Sequence, residues 1–400
     1  MTDYGQLALQ AHLQYKGKLE THSKVPLTTA EDLSTFYSPG VAAPCLEIEK
    51  NPASVYDLTR KSNTIAIVSD GSAVLGLGNI GGLAGLPVME GKAILFKEFG
   101  DVDAIPIVLS TQDPDEVIKA VEAIAPTFGG INLEDISAPN CFYIETELKK
   151  RLNIPVFHDD QHGTAIVVLA GLINALKLRQ EKQTSQNTVG IGLAPIRSKN
   201  TPIRSKQKIV ISGAGAAAIA IGKLLHQAGA TNIIFTDSKG VISSQRSDLN
   251  PFKKEVLPFN LHDVAGTLQD ALQGADIFIG VSKGNLLKAE DIHSMATDPI
   301  IFALANPTPE IMPDEAKSAG AFIIATGRSD FPNQVNNVLA FPGIFRGALD
   351  ARLPQITDAH KVAAAEALAS YIQSPNVDHI LPSALDKGVA KVIAEAVMKH

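Results

Sequence analysis

The chain alternates apolar runs with amphipathic stretches over most of its 400 residues. In the first half, TIAIVSD, AIPIVL, GGINLED and IPVFHDD each read as a strand, and PDEVIKAVEAIA between them carries the spacing of a helix. Strands alternating with helices predict parallel βαβ units and an α/β fold. Residues 1 to about 60 read as helical and broken by turns, with Tyr37-Ser38-Pro39-Gly40 the clearest. After the fourth strand, HGTAIVVLAGLINALKLR predicts one long apolar helix bridging two domains.

Residues 180–207 break the rhythm. They are polar and basic and contain the near-duplicates PIRSKN and PIRSKQ, which predicts an inserted loop. From Lys208 the alternation resumes with KIVIS, TNIIFTD, ADIFIGVS, PIIFALANP and AFIIATG. Between the first two of these runs, Gly213-Ala214-Gly215-Ala216-Ala217-Ala218 fits G-x-G-x-x-A directly after a strand and opens an alanine-rich helix. The amides of that helix start can hold a pyrophosphate. Asp237 closes the next strand, 22 residues after Gly215, where a carboxylate can accept from ribose hydroxyls. The second half therefore predicts a Rossmann dinucleotide-binding domain with a parallel sheet. Gly76-Leu77-Gly78-Asn79-Ile80-Gly81 also fits G-x-G-x-x-G, but it stands away from the strand ending near Asp70. Pro87 is expected to interrupt any helix after these glycines, leaving a flexible or ligand-facing loop.

Two acidic segments carry candidate chemistry: Glu134 and Asp135 after the third strand, and Asp159 and Asp160 after the fourth. Carboxylates at strand ends suit a hard divalent cation such as Mg²⁺ or Mn²⁺. Neighbours in a regular strand point to opposite faces, so Glu134 and Asp135 can share an ion only if the strand has ended, which Ser137-Ala138-Pro139-Asn140 supports. The competing reading is a loop cap at Glu134 and Asp135 and a cap by Asp159 and Asp160 on a helix starting near Gly163. His158 and His162 raise a zinc reading, but their spacing aligns two ligands only on a continuous helix.

Bulk composition narrows the classes. Four hundred residues with 45% hydrophobic content favour two cores over one. A net charge of -7 offers no general attraction for nucleic acid or an anionic membrane. Two cysteines, Cys45 and Cys141, make no disulfide framework. The first twenty residues lack a leader pattern, and no later apolar run of about 18 residues escapes polar interruption. A cytoplasmic protein is expected.

The segments FYSPGVAAPC, SDGSAVLGLGNIGGLAGLPVMEGKAILFK, INLEDI, HDDQHGTA, GAGAAA, FALANPTPE and NNVLAFPG together resemble malic enzymes of the shorter bacterial form, over nearly the whole chain. The resemblance implies oxidative decarboxylation of (S)-malate to pyruvate and CO₂, with NAD or NADP as hydride acceptor and Mg²⁺ or Mn²⁺ bound. It places the metal ligands on Glu134, Asp135 and Asp160, with Asp159 just outside them. It places a general base on Lys92, which also contacts substrate, and a general acid on Tyr37. Asn306 and Asn336 fall on its substrate-side asparagines, although each also reads as an Asn starting a turn. A lysine serves as base near neutral pH when burial or nearby positive charge lowers its pKa.

The implied organisation is a substrate and metal domain over residues 1–165, a Rossmann domain over 166–339, and a helical segment over 340–400 returning to the first. A homodimer is implied as well. One departure stands out: longer malic enzymes carry a carboxylate-binding arginine where this chain has Ser72 and Ala73, and Arg328 is a candidate substitute. Asp237 leans the cofactor toward NAD, while Ser238, Lys239, Arg246, Lys253 and Lys254 could neutralise a 2′-phosphate. A dehydrogenase acting without metal and a silent nucleotide-binding regulator remain the readings from other classes.

Overall fold

The computed structural model describes residues 3–74, 76–187, 203 and 207–400. Its first sheet has four parallel strands, β1 (Thr64–Ser69), β2 (Asp103–Val108), β3 (Gly130–Leu133) and β4 (Val156–His158), in the order β2-β1-β3-β4. Every residue of β1 is buried. Its run is continuously apolar because helices cover both faces of the sheet. Ile65 and Ile67 join one core while Ala66 and Val68 join another, as alternation across a strand requires.

The second sheet holds β5 (Lys208–Ser212), β6 (Asn232–Asp237), β7 (Gly240–Val241), β8 (Ile277–Gly280), β9 (Ile300–Ala303) and β10 (Ile323–Thr326), in the order β10-β9-β8-β5-β6-β7. Five strands are parallel, the Rossmann pattern read from the sequence. The two-residue edge strand β7 runs antiparallel to β6, a hairpin too short to leave an apolar signature.

The long helix is Asp159–Asn187, extended beyond expectation at both ends. It begins at Asp159 and not near Gly163, and it continues past 180 where the insertion was expected to start. Residues 188–202 and 204–206, which contain most of the PIRSK duplication, lie outside the described residues. By length and composition this helix could cross a membrane, contrary to the expectation that no such run exists, yet 78% of its apolar window is buried in the protein. Ile166, Leu169 and Ile173 share one core with Ile65 and Ile67 of the first sheet and Ile209 and Ile211 of the second, so the helix is the layer joining the two sheets.

The helix Gly81–Gly100 runs unbroken through Pro87, correcting the expected interruption. Gly82, Gly85, Met89, Lys92, Ala93 and Phe96 form its buried face. The C-terminal helices Phe341–Asp350 and Gly388–Met398 come back against it. Phe341 packs tilted and Phe345 edge-on against Phe96, with ring centroids 4.5 and 5.4 Å apart, and Lys387 pairs with Glu98 at 2.7 Å.

Candidate active site

Parallel strands deliver their C-terminal ends to one edge, where open α/β sheets place their sites. β3 and β4 pair with Leu133 opposite His158, so Glu134 and Asp159 leave the sheet side by side. Asp135 adopts φ 54°, in the left-handed region that Asp tolerates better than most residues. The strand has ended there and its alternation no longer separates the two side chains. The Asp135 N–H donates to Asp160 Oδ2 at 2.8 Å, and carboxylate oxygens of Glu134, Asp135 and Asp160 lie within 4.8 Å of one another.

These oxygens suit a hard divalent cation on grounds beyond their chemistry. Asp135 Oδ2 is buried without a hydrogen-bond partner among the described residues. Burial, then repulsion from Asp160 and Glu134, pushes the Asp135 carboxyl up to about 8, and burial raises Glu134 as well. The cluster is braced from outside. Asn132 Nδ2 donates to Glu134 Oε2 at 2.9 Å, Ala73 N–H donates to the Asp135 carbonyl at 2.9 Å, and Ser137 N–H donates to Ser72 Oγ at 2.8 Å. Ser72 and Ala73, noted in the sequence for lacking an arginine, thus hold the loop that carries Asp135.

Lys92 reaches this edge from the buried face of its helix and is only 7% exposed. Its Nζ lies 2.9 Å from Glu134 Oε1, forms an ion pair with Asp159, and sits 4.1 Å from the Phe341 ring centroid. Burial disfavours its charge, but Asp159, Glu134 and Asp160 outweigh burial and hold the ammonium above the ordinary lysine range. This corrects the expectation of a lowered pKa: without a cation beside them, the carboxylates keep Lys92 protonated. The groups driven toward neutrality are Glu134, Asp135 and Asp159, raised chiefly by burial. Asp159, fully buried, is pushed up to about 8 by burial and Glu134 despite Lys92. Asn337 Nδ2 donates to it at 2.5 Å. A Cβ at Gly163, one turn along the same helix, would lie 1.9 Å from Asp159 Oδ1, so the glycine makes room for this carboxylate.

Behind the carboxylates, Glu145 on the helix Asn140–Arg151 is buried and accepts from four groups. They are the His158 N–H (3.3 Å), Gln161 Nε2 (3.4 Å), His162 Nε2 (2.8 Å) and Lys149 Nζ (2.7 Å). Burial would raise this carboxyl, but His162 and Lys149 hold it well below the usual range. His162, turned to Glu145, is pushed down to about 4 by burial. Among the described residues both ring nitrogens of the buried His158 lack hydrogen-bond partners, and Nδ1 lies 3.8 Å from Asp160 Oδ2. The histidines therefore do not converge on one point as zinc ligands must.

Tyr37 is not drawn into this constellation. It ends the helix Ala30–Phe36, is 67% exposed and makes no side-chain hydrogen bond among the described residues. Along the same N-terminal segment Leu7, Leu13, Leu27, Leu33 and Phe36 are also exposed.

At the second sheet, Gly213 has φ 134°, and Gly215 precedes the helix Ala216–Gln227 with no atom within 4 Å of a would-be Cβ. That helix start has no side-chain cap, which leaves its amides free for an anion. Ala214, Ala216 and Ala217 line the turn, part-buried. Asp237 ends β6 as expected, but its carboxylate is taken. Arg246 Nη1 and Nη2 donate to it at 2.8 and 3.1 Å, Lys253 Nζ at 2.6 Å and Lys239 N–H at 2.9 Å.

Asn306 lies just beyond β9, exposed, with Nδ2 3.4 Å from the Leu304 carbonyl. Asn336 Oδ1 accepts from the Val338 N–H at 3.0 Å, the turn-starting use of an Asn. Its neighbour Asn337, which the sequence did not single out, is the one bonded to Asp159. Arg328 is committed to Asp330 through Nε (2.8 Å) and Nη2 (2.6 Å) and to the Pro307 carbonyl at 3.0 Å.

Comparison with known proteins accounts for both halves of this arrangement. The model of the malic enzyme N-terminal domain matches residues 16–113 and 111–149, and that of the malic enzyme NAD binding domain matches 161–400. The chain is 54% identical to the bifunctional malic/malolactic enzyme of Bacillus subtilis, covering 98% of this chain and 92% of that one. It is 52% identical to an NAD-dependent malic enzyme of Geobacillus stearothermophilus, covering 96% and 76%. It is 46% identical to an NADP-dependent malic enzyme of Escherichia coli, where it spans 98% of this chain but 52% of the relative. The crystal structure of an NAD-dependent malic enzyme from Thermotoga maritima superposes with a TM-score of 0.90 at 47% identity, covering 98% of each chain. The chain belongs to the malic enzyme family.

Proposed function

We propose that this chain oxidises and decarboxylates (S)-malate to pyruvate and CO₂ while reducing NAD or NADP, and that it needs Mg²⁺ or Mn²⁺. The observation that carries this reading is a buried lysine beside a cluster of three carboxylates, two of them buried, at the edge of an α/β sheet. Glu134, Asp135 and Asp160 would hold the cation, which when bound supplies Lewis-acid stabilisation of negative charge developing on the substrate's C2 oxygen. With those three carboxylates committed to a cation, Asp159 would be the carboxylate left paired with Lys92, and burial, the largest influence on the lysine, works toward the neutral amine. Lys92 takes the C2 hydroxyl proton as hydride leaves for the nicotinamide. Asp159, fixed by Asn337, orients the amine. Asn306 and Asn336 contact malate or the nicotinamide, and Gly213, Ala214, Gly215, Ala216 and Ala217 cradle the pyrophosphate. The organisation that fits is a substrate and metal unit over 1–165 and 340–400 around a Rossmann unit over 166–339. Reduced nicotinamide formed from malate in Mn²⁺, and its loss with chelator, tests the reading; malate-dependent turnover in excess chelator would sink it.

NAD is the preferred acceptor in this reading, with Asp237 as the determinant. Its carboxylate repels a 2′-phosphate, while Arg246 and Lys253 beside it would attract one once uncovered. An unscreened charge contact near a protein surface is worth about 4 kcal/mol at 4 Å, and part of that survives screening. Asp237→Ala is therefore expected to move the NADP-to-NAD ratio of kcat/KM upward by about tenfold or more. An unchanged ratio in paired assays would remove Asp237 from that role.

Tyr37 is the proton donor to C3 of the enolate, and the exposed apolar residues of its N-terminal segment are the seam of a homodimer. Sedimentation is expected to give a dimer, and within it Tyr37→Phe to lose about 10² in kcat with little change in the malate KM. A monomer with full turnover, or a dimer in which Tyr37→Phe turns over normally, contradicts this.

A further inference from the structure

We infer that Glu145 is a positioning residue for the proposed metal site, gripping from a neighbouring helix the turn that presents Asp159 and Asp160. The inference rests on reading Glu134, Asp135 and Asp160 as the ligands.

β4 passes into the long helix with no loop: His158 is the last strand residue and Asp159 the first helical one. A helix start leaves N–H groups without intrahelical partners, and a local Asp, Ser or Thr side chain normally accepts from one of them. Here both local carboxylates are diverted. Asp159 is turned to Lys92 and Asn337, and Asp160 Oδ2 accepts from the Asp135 N–H.

Glu145 takes over the anchoring. It accepts from the His158 N–H ahead of the acidic pair and from the Gln161 and His162 side chains behind it, so the pair is held from both sides. Its own position is fixed by Lys149 one turn along, at 2.7 Å. Glu145 occupies a face otherwise made of Cys141, Ile144 and Leu148, a costly place for a carboxylate without a task. Partners that orient metal ligands from outside commonly change metal affinity by 10–100-fold when removed.

The test is Mn²⁺ binding to metal-free protein, read from the electron paramagnetic resonance signal of free Mn²⁺, beside binding of reduced nicotinamide cofactor read by its fluorescence. Glu145→Ala is expected to weaken Mn²⁺ by about 10–100-fold and leave cofactor affinity unchanged. Equal Mn²⁺ affinity in the variant and wild type overturns the inference. So does parallel loss of Mn²⁺ and cofactor, which marks general damage. If Glu145→Ala does not fold, Glu145→Gln decides: at least about threefold weaker Mn²⁺ binding with intact cofactor binding is expected, and wild-type affinity overturns. Asp135→Asn serves as the control for the ligand reading. If it binds Mn²⁺ as wild type does, the ligands are elsewhere, whatever Glu145 does.

Discussion

Lys92→Ala is expected to lower kcat by about 10²–10⁴-fold, the usual contribution of a positioned base, with a smaller change in the malate KM. The amine sits among the buried carboxylates at this edge, and its Nζ lies 2.9 Å from Glu134 Oε1. Removing it takes away the amine proposed to accept the hydroxyl proton. It also leaves Asp159 and Glu134 buried without their cation, the arrangement in which one partner of a buried pair is lost. Those carboxyls respond by staying protonated further up the pH scale. A carboxyl whose folded pKa is raised adds stability below its unfolded value, and that stability is lost as pH rises through the folded value. The melting temperature of Lys92→Ala is therefore expected to fall more steeply than that of wild type between about pH 4 and 8. Kinetics and thermal melts across that range read both effects. Near wild-type kcat in a folded variant would rule out Lys92 as the base.

The second large effect is expected from the metal. Wild type without cation carries Asp135 and Asp159 pushed up to about 8, so it loses stability as pH rises from the ordinary carboxylate range toward that value. In the proposed reading Mn²⁺ would bind the ionised carboxylates, and at a hundred times its Kd a ligand bound only by the folded state adds about 2.7 kcal/mol. Added Mn²⁺ is expected to raise the melting temperature, most strongly toward pH 8. Asp160→Asn removes one ligand charge and the mutual repulsion with Asp135; it is expected to abolish both the thermal shift and malate turnover. A thermal shift by Mn²⁺ that survives in Asp160→Asn would place the cation elsewhere.

Most of the framework could be read along the chain. All the strands expected in both halves form where the apolar runs lie, and Gly213 to Ala217 turn into a helix directly after β5. Short apolar runs between helices have few alternatives to a buried parallel sheet. Lys92 and Glu145 also left a local signal. Each is a charged residue on a helix face whose other members are apolar and buried, at spacings of three and four. For Lys92 that signal is masked in the sequence by Pro87, which reads as an interruption although the helix runs through it.

What the sequence by itself determined is the set of parts: two α/β units, a dinucleotide fingerprint and two acidic segments at strand ends. The fate of each carboxylate was decided only in three dimensions. The register of β3 against β4 sets Glu134 beside Asp159, and the left-handed turn at Asp135 brings two sequence neighbours to one point. Asn337, far along the chain, claims Asp159, while Arg246 and Lys253 claim Asp237. The reason is physical: a carboxylate's role is set by its burial and by the donors around it, and those donors come from elements that only packing brings together.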